Sequence, residues 1–477
     1  RTHPSLPFLS MKTFSLFRPF ARATTLVLAA LLIGGCLKER LAWSPDGKHA
    51  AILTADGLFV ADANGKISTL LVPGAYLAAW LPDSQSLVVA RRKEVKNFAE
   101  ITAALGPTRA RQLATKAEAV WSRIKDLPRG EEFDQRVGEE IGDDLPGVLV
   151  YLREQPQHLA ALREKLGADW KREDETKSAN LNEVVVARLS GEKLILGPTL
   201  HVGLPGIHAL RPAPNGRAVA FTLQPELSRQ PDNGVTLMLA PTDAAEPAVS
   251  VATQSATHPD WSADGRNLVF FKATGGAGIS DDLRLGALVT REVFDLSGRF
   301  QLAATTTDLA GLIFHAHSRV RCLRNGQIVF NATPFTLPIA GGGDGEREQL
   351  FALGRGPNAK LIPLFPADRL ERLPKALSAF EVSPDETQVL IGSDNGEVWL
   401  GTLATGAVEL VSAKIESAKD KGEGENFPAP IWRAAGEFTY LRKRPGTPAF
   451  ELVLRRGQTE TVLSRDWDAA LLRRLVE

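Results

Sequence analysis

The residue types able to do chemistry are few in this chain, and their spacing narrows the function classes at once. His315-Ala316-His317 is the densest pair. Alternate residues of a strand point to one face, so two imidazoles there could share a metal ion. No third ligand stands at a spacing that completes the set, so His315 and His317 stay metal candidates only, and the expectation is two ordinary strand-end histidines. His201, His208 and His258 stand alone, and nothing nearby in sequence makes any of them a general base. The chain holds no G-x-S-x-G, H-E-x-x-H or C-x-x-C, and its run Gly341-Gly342-Gly343-Asp344-Gly345-Glu346 lacks the lysine of a phosphate-binding loop. No catalytic residue, metal or cofactor is therefore assigned.

Cys36 and Cys322 are the only cysteines, which excludes a disulfide framework if the first is used otherwise. Cys322 reads as a buried strand thiol. Before Cys36 stand a basic stretch opening at Met11 (Lys12, Arg18, Arg22), an apolar run from Leu26 to Ile33, and Gly34-Gly35. That order is an export signal, with an apolar core too short to span and stay in a bilayer. Gly34-Gly35-Cys36 resembles the lipobox of bacterial lipoproteins. The resemblance implies cleavage after residue 35, acylation of Cys36, and a membrane partner reached through two or three acyl chains, each buried methylene worth about 0.8 kcal/mol. Leu37, next to the cysteine, favours the outer membrane with the protein facing the periplasm. Residues 1–35 are set aside from fold reasoning.

Charge excludes another class. Basic and acidic side chains number 56 each, and residues 1–35 hold four of the former and none of the latter. The remainder is slightly acidic, which does not suit a nucleic-acid partner.

The elements that would carry any site come from a repeat. Leu41-Ala42-Trp43-Ser44-Pro45-Asp46-Gly47-Lys48 leads into the apolar run Ala50 to Leu53. Proline fixes one φ of such a turn, aspartate accepts backbone N–H groups, and glycine takes the left-handed conformation that returns the chain. Hairpins at Asp56-Gly57 and Asn64-Gly65 follow, with Leu58 to Val60 and Lys66 to Leu71 as strands. Related turns begin at Trp80 (with Asp83), Pro212, Trp261 (with Asp264 and Gly265), Cys322, Val382 (with Asp385) and Trp432. The recurring acids invite a catalytic reading, but turn chemistry alone accounts for them. Seven copies at roughly 40–60 residues indicate radial repetition.

The W-S-P-D-G-K turn at Trp43 to Lys48 resembles that of the TolB-type, WD-repeat-like propellers. The expected fold is all-β: a seven-bladed β-propeller, six to eight blades being compatible, of four-stranded antiparallel blades over residues 36–465. Residues 94–180 interrupt blade two with helical periodicity, Ala110, Leu113, Ala117, Val120, Trp121 and Ile124 after Pro107, then Leu149 to Leu166, with Gly138, Gly142 and Pro146 between. A charged, Gly-rich loop is expected over 414–430 and a closing helix over 466–477 with Trp467 inward. These elements predict a non-enzymatic binding or scaffold protein of the cell envelope that takes a protein or cell-wall partner on its end faces and insertion. The alternative is a propeller enzyme, lactonase-like or glycan-cleaving, with its site in the central funnel.

Overall fold

A computed structural model describes residues 40–467, apart from 55, 64–65, 129–144, 167–177, 224–234, 257, 275–282, 297–298, 316–317, 334–347, 355–358, 375–376, 378, 394–395, 414–428 and 445–449. Cys36, the expected export segment and most of the expected 414–430 loop thus lie outside the described residues.

The folding logic starts in the turn. Ser44 Oγ donates to Asp46 Oδ1 (2.7 Å), which also accepts the Lys48 N–H (3.1 Å), while the His49 N–H donates to Ser44 Oγ (3.0 Å). Ser262, Asp264 and Asn267 repeat this network, as do Ser383, Asp385 and Gln388. Asn215 and Asn325 each accept the N–H two residues on, and Asp83 accepts those of Gln85 and Ser86. The fifth turn position is left-handed in all seven copies: Gly47, Gly216, Gly265, Gly326 and Gly436, but also Ser84 (φ 57°) and Glu386 (φ 59°). The two non-glycine residues reach across to a neighbouring turn. Ser84 Oγ accepts the Asp46 N–H (3.2 Å), and Glu386 Oε1 accepts that of Arg324 (2.8 Å).

Each turn folds a first strand onto a second, and two further reversals complete an antiparallel sheet. The resulting units span 41–73, 75–203, 207–255, 260–315, 320–363, 379–412 and 431–467. Units three and four are bridged by a single pair, Ser255↔Lys272, and unit four gains a short extra strand, Arg299–Leu302, on the far end of Leu283–Leu296. First strands of successive units touch, and Leu41–Trp43 of the first meets Ile431–Ala434 of the last. The ring is closed. The described residues form a β-propeller of seven such units.

Apolar side chains of adjacent blades interlock between the sheets. Val88 and Val184 of blade two pack with Leu210, Val219 and Phe221 of blade three, and Phe271 and Phe314 of blade four pack with Phe330 and Phe351 of blade five. Full burial of each such side chain contributes about 1.5–3 kcal/mol. The tryptophans set register as well as fill space. Trp80 Nε1 donates to Ala42 O, Trp261 Nε1 to Arg211 O and Trp432 Nε1 to Glu381 O, each at 2.9 Å and each to the same position of the preceding blade. At the ring closure a hydroxyl is interposed: Trp43 Nε1 donates to Thr439 Oγ1 (3.1 Å), which donates to Ile431 O (3.4 Å).

Three expectations are corrected in detail. The regular fourth strand of blade one is Val72–Pro73, and the expected Lys66 to Leu71 runs beside the third strand only through irregular pairing, the bridge Ala61↔Ile67 and the Leu71 N–H to Leu58 O bond. Ser68 bonds to Val60 through both its N–H and its hydroxyl, which interrupts the ladder and leaves Ile67 and Leu70 exposed. Pro146 lies in the first turn of helix Leu145–Glu154, where a missing N–H costs nothing, rather than between helices. The last strand, Thr459–Trp467, pairs Trp467 with Phe450, so residues 466–467 are extended, and the rest of the expected closing helix lies outside the described residues.

Candidate functional site

The two ends of the propeller differ. The tight first-to-second strand turns, with Asp46, Asp83, Asp264, Asp385, Gly47 and Gly265, form one end. Asp46, Asp264 and Asp385 have pKa values held below the usual carboxylate range, and hydrogen bonds from their own turns do this. These acids belong to separate turns and do not converge. The opposite end carries the second-to-third strand connections, the crossings between blades and the insertion of blade two.

That insertion stands on an extended hairpin. Strands Ser86–Val95 and Ala179–Ser190 pair without a slip from Ser86↔Arg188 to Val95↔Ala179. The helices are α1 (Phe98–Leu105), α2 (Pro107–Ile124), α3 (Leu145–Glu154) and α4 (Pro156–Leu166). Asn97 caps α1 by accepting the Glu100 N–H at 2.8 Å. This helix precedes the Pro107 at which the sequence pattern becomes visible. Leu113, Ala117, Val120, Trp121 and Ile124 of α2 are buried against Val148, Leu152 and Leu162, and against Val95, Ala179 and Leu181 of the hairpin. Glu118 joins the layers, accepting from Tyr151 Oη (3.0 Å) and bonding His158 Nε2 (3.1 Å). Arg109 Nη1 donates to Val202 O at 2.8 Å, and a Cβ on Gly147 would meet Leu204 Cδ1 at 2.8 Å. The subdomain is therefore seated on blade two.

The axis is lined by the first strands in two tiers. Immediately before the tryptophan position, blades three to six present Arg211, Asp260, Arg321 and Glu381, an alternation of charge. Arg321 pairs with Glu381, and Asp260 Oδ2 accepts the Cys322 N–H at 2.9 Å. Two residues closer to the insertion, the tier reads Arg40, Leu77, Ala209, His258, Arg319, Ala379 and Ala429. Arg40, His258 and Arg319 are buried, and burial pulls Arg40 down to about 10. The Arg319 N–H donates to Asn331 Oδ1 (2.6 Å), and Asn331 Nδ2 donates to Glu348 Oε1 (2.5 Å), whose other oxygen accepts the Leu377 N–H.

Among the described residues no three His, Cys, Asp or Glu side chains gather as a metal site. His315 Nε2 lies 3.4 Å from Thr333 Oγ1, and its proposed companion His317 is outside the described residues. Cys322 is partly buried, and desolvation raises its pKa well above the ordinary thiol value. His201 and His208 are both pulled to about 4 by burial, His201 also by Arg109. Neither is placed to act as a base at neutral pH. The alternating tier and the tryptophan bonds were not legible in the sequence, because each joins residues of different blades; only the aligned turns could have shown that charges recur at one position.

No family model matches the chain, and no curated protein matches it in sequence. Solved structures do resemble it. An oligogalacturonate lyase in complex with manganese is 11% identical, with 88% of this chain and 89% of that one covered at a TM-score of 0.47. The Cps50 (Swd1) β-propeller domain of Myceliophteria thermophila is 10% identical, with 85% and 93% covered at 0.41. A putative TolB from Agrobacterium tumefaciens is 10% identical, with 56% and 84% covered at 0.34.

Proposed function

We propose that this chain is a lipid-anchored, non-enzymatic binding protein of the bacterial cell envelope, held at the outer membrane through Cys36 and facing the periplasm. Its partner is an envelope protein that docks on the end of the propeller carrying the insertion. One observation supports this reading above others: the helical subdomain, carried on the extended hairpin of blade two, stands at the end opposite the tight first-to-second strand turns. Recognition concentrates on loops that a rigid scaffold positions. The two axial carboxylates, Asp260 and Glu381, are engaged by Cys322 and Arg321 in holding blades together.

Because Val95 and Ala179 are register partners, residues 96–178 can be replaced by a two-residue Asn-Gly turn without disturbing the blade. Crosslinking in intact cells, followed by pull-down, should recover an envelope protein in stoichiometric amount with the full chain and not with the shortened one. Purified partner and purified chain should then re-form the complex. Equal recovery with both chains, while the shortened one stays folded by circular dichroism, sinks the assignment of the partner to this end.

A further inference from the structure

The anchor and the insertion leave the propeller from the same end. The first strand starts at Leu41 and runs toward the tight turn at Ser44, so Arg40 lies at the end opposite that turn. The second strand of blade two finishes at that end too, where the insertion begins. Arg40 can be placed in height: its carbonyl accepts the Leu53 N–H at 2.9 Å, and Ala90, paired with Leu77, is the equivalent of Leu53 in blade two.

From that common level the two features reach different distances. Four residue-to-residue steps lead from Cys36 to Arg40, and at no more than about 3.6 Å each they span at most ~14 Å. The hairpin of blade two continues from Arg91 to Val95 before its helices start, which at about 3.3 Å per residue is already ~17 Å. An acylated Cys36 sits at the headgroup level of a bilayer. A subdomain that projects further than the tether can extend must then meet the bilayer surface.

We infer that the insertion-bearing end faces the membrane, with the helical subdomain resting on lipid headgroups beside the anchor and the tight-turn end facing away. The inference rests on acylation of Cys36, and it deepens the reading above: whatever docks on this end is met at the membrane surface. The experiment uses the full lipidated chain in a Cys322→Ala background, with a fluorophore attached at Ser122→Cys on α2 or at Lys48→Cys in a tight turn. Both positions are exposed. Each chain is reconstituted into phosphatidylethanolamine–phosphatidylglycerol vesicles in which a fraction of headgroups carries a nitroxide, and vesicle flotation is measured beside fluorescence. The chain should float, a Cys36→Ala chain should not, and the Ser122 label should lose most of its emission while the Lys48 label keeps it. Flotation with equal quenching at both positions, or with stronger quenching at Lys48, overturns the orientation alone. A Cys36-bearing chain that fails to float refutes the anchor, and the orientation falls with it.

Discussion

The seam between blades seven and one is the place to test how this ring holds together. All four strands of blade one come from residues 41–73 and all four of blade seven from 431–467, so no strand crosses from one to the other. Every other seam is spanned by the chain; this one is held by side chains. Arg433 carries much of it: Nε donates to Gly47 O at 3.0 Å, and the guanidinium lies 4.9 Å from the Trp43 ring centroid. A hydrogen bond from a charged donor contributes about 1.5–3 kcal/mol, and a partly desolvated cation–π contact about 0.5–2 kcal/mol. Arg433→Ala should therefore cost about 2–4 kcal/mol, and Arg433→Lys, which keeps the charge but not the planar Nε donor, less. The matched control is Trp261→Phe at the seam of blades three and four, which loses one bond of about 1 kcal/mol. Urea unfolding gives the totals, and native-state hydrogen exchange gives the location. In Arg433→Ala, amides of blades one and seven should exchange through an opening smaller than global unfolding, while those of blades three and four should not. A loss below about 0.5 kcal/mol, the scale of an ordinary surface change, or uniform acceleration in all blades, refutes the argument that this seam is the ring's weak point.

Other outcomes follow from the same geometry. Gly47→Ala should destabilise by about 1–2 kcal/mol from its left-handed backbone, and more from the 3.1 Å approach of its Cβ to Arg433 O. Ser84→Gly should be nearly neutral in the same melts, since relief of the left-handed backbone offsets the lost Asp46 bond. Stability should fall on acidification. His201 and His208 take up protons near pH 6.5 when unfolded but only near 4 when folded, so their contribution is complete above about 6.5 and is lost as pH falls toward 4. At 1.36 kcal/mol per pH unit the ceiling is about 3 kcal/mol for each, and His201→Gln should flatten the slope of urea midpoint against pH in that window. Phe330→Ala, at a fully buried ring between blades four and five, should cost about 3–5 kcal/mol by thermal or urea melting.

What the sequence disclosed was local chemistry. The Ser44-Pro45-Asp46-Gly47 turn closes through its own side chains, so its recurrence could be read without knowing where the blades lie. The stripe from Ala110 to Ile124 had to be helix because its apolar spacing is helical. Pairings that depend on a neighbour were hidden. Blade one's fourth strand was misplaced because Lys66 to Leu71 looks strand-like, while Ser68 turns the ladder aside through bonds to Val60. Trp467 looked like the inward face of a helix and instead extends opposite Phe450. The turn residues Ser84 and Glu386 showed no glycine, and only the structure shows that they keep the left-handed backbone by bonding to the adjoining blade.

The absence of a shared strand also fixes an order of events during folding. Each sheet is drawn from one stretch of chain, so every blade after the first can rest on its predecessor as soon as it forms. The face of blade one formed by Leu41, Ala50, Ile52 and Ala61 must wait for Phe450 and Leu452. Trp43 and Thr439 are 396 positions apart, so nearly the whole ring must assemble before this flank is covered. For that interval a greasy flank stands uncovered, and a holdase that recognises nascent hydrophobic surface has its target there.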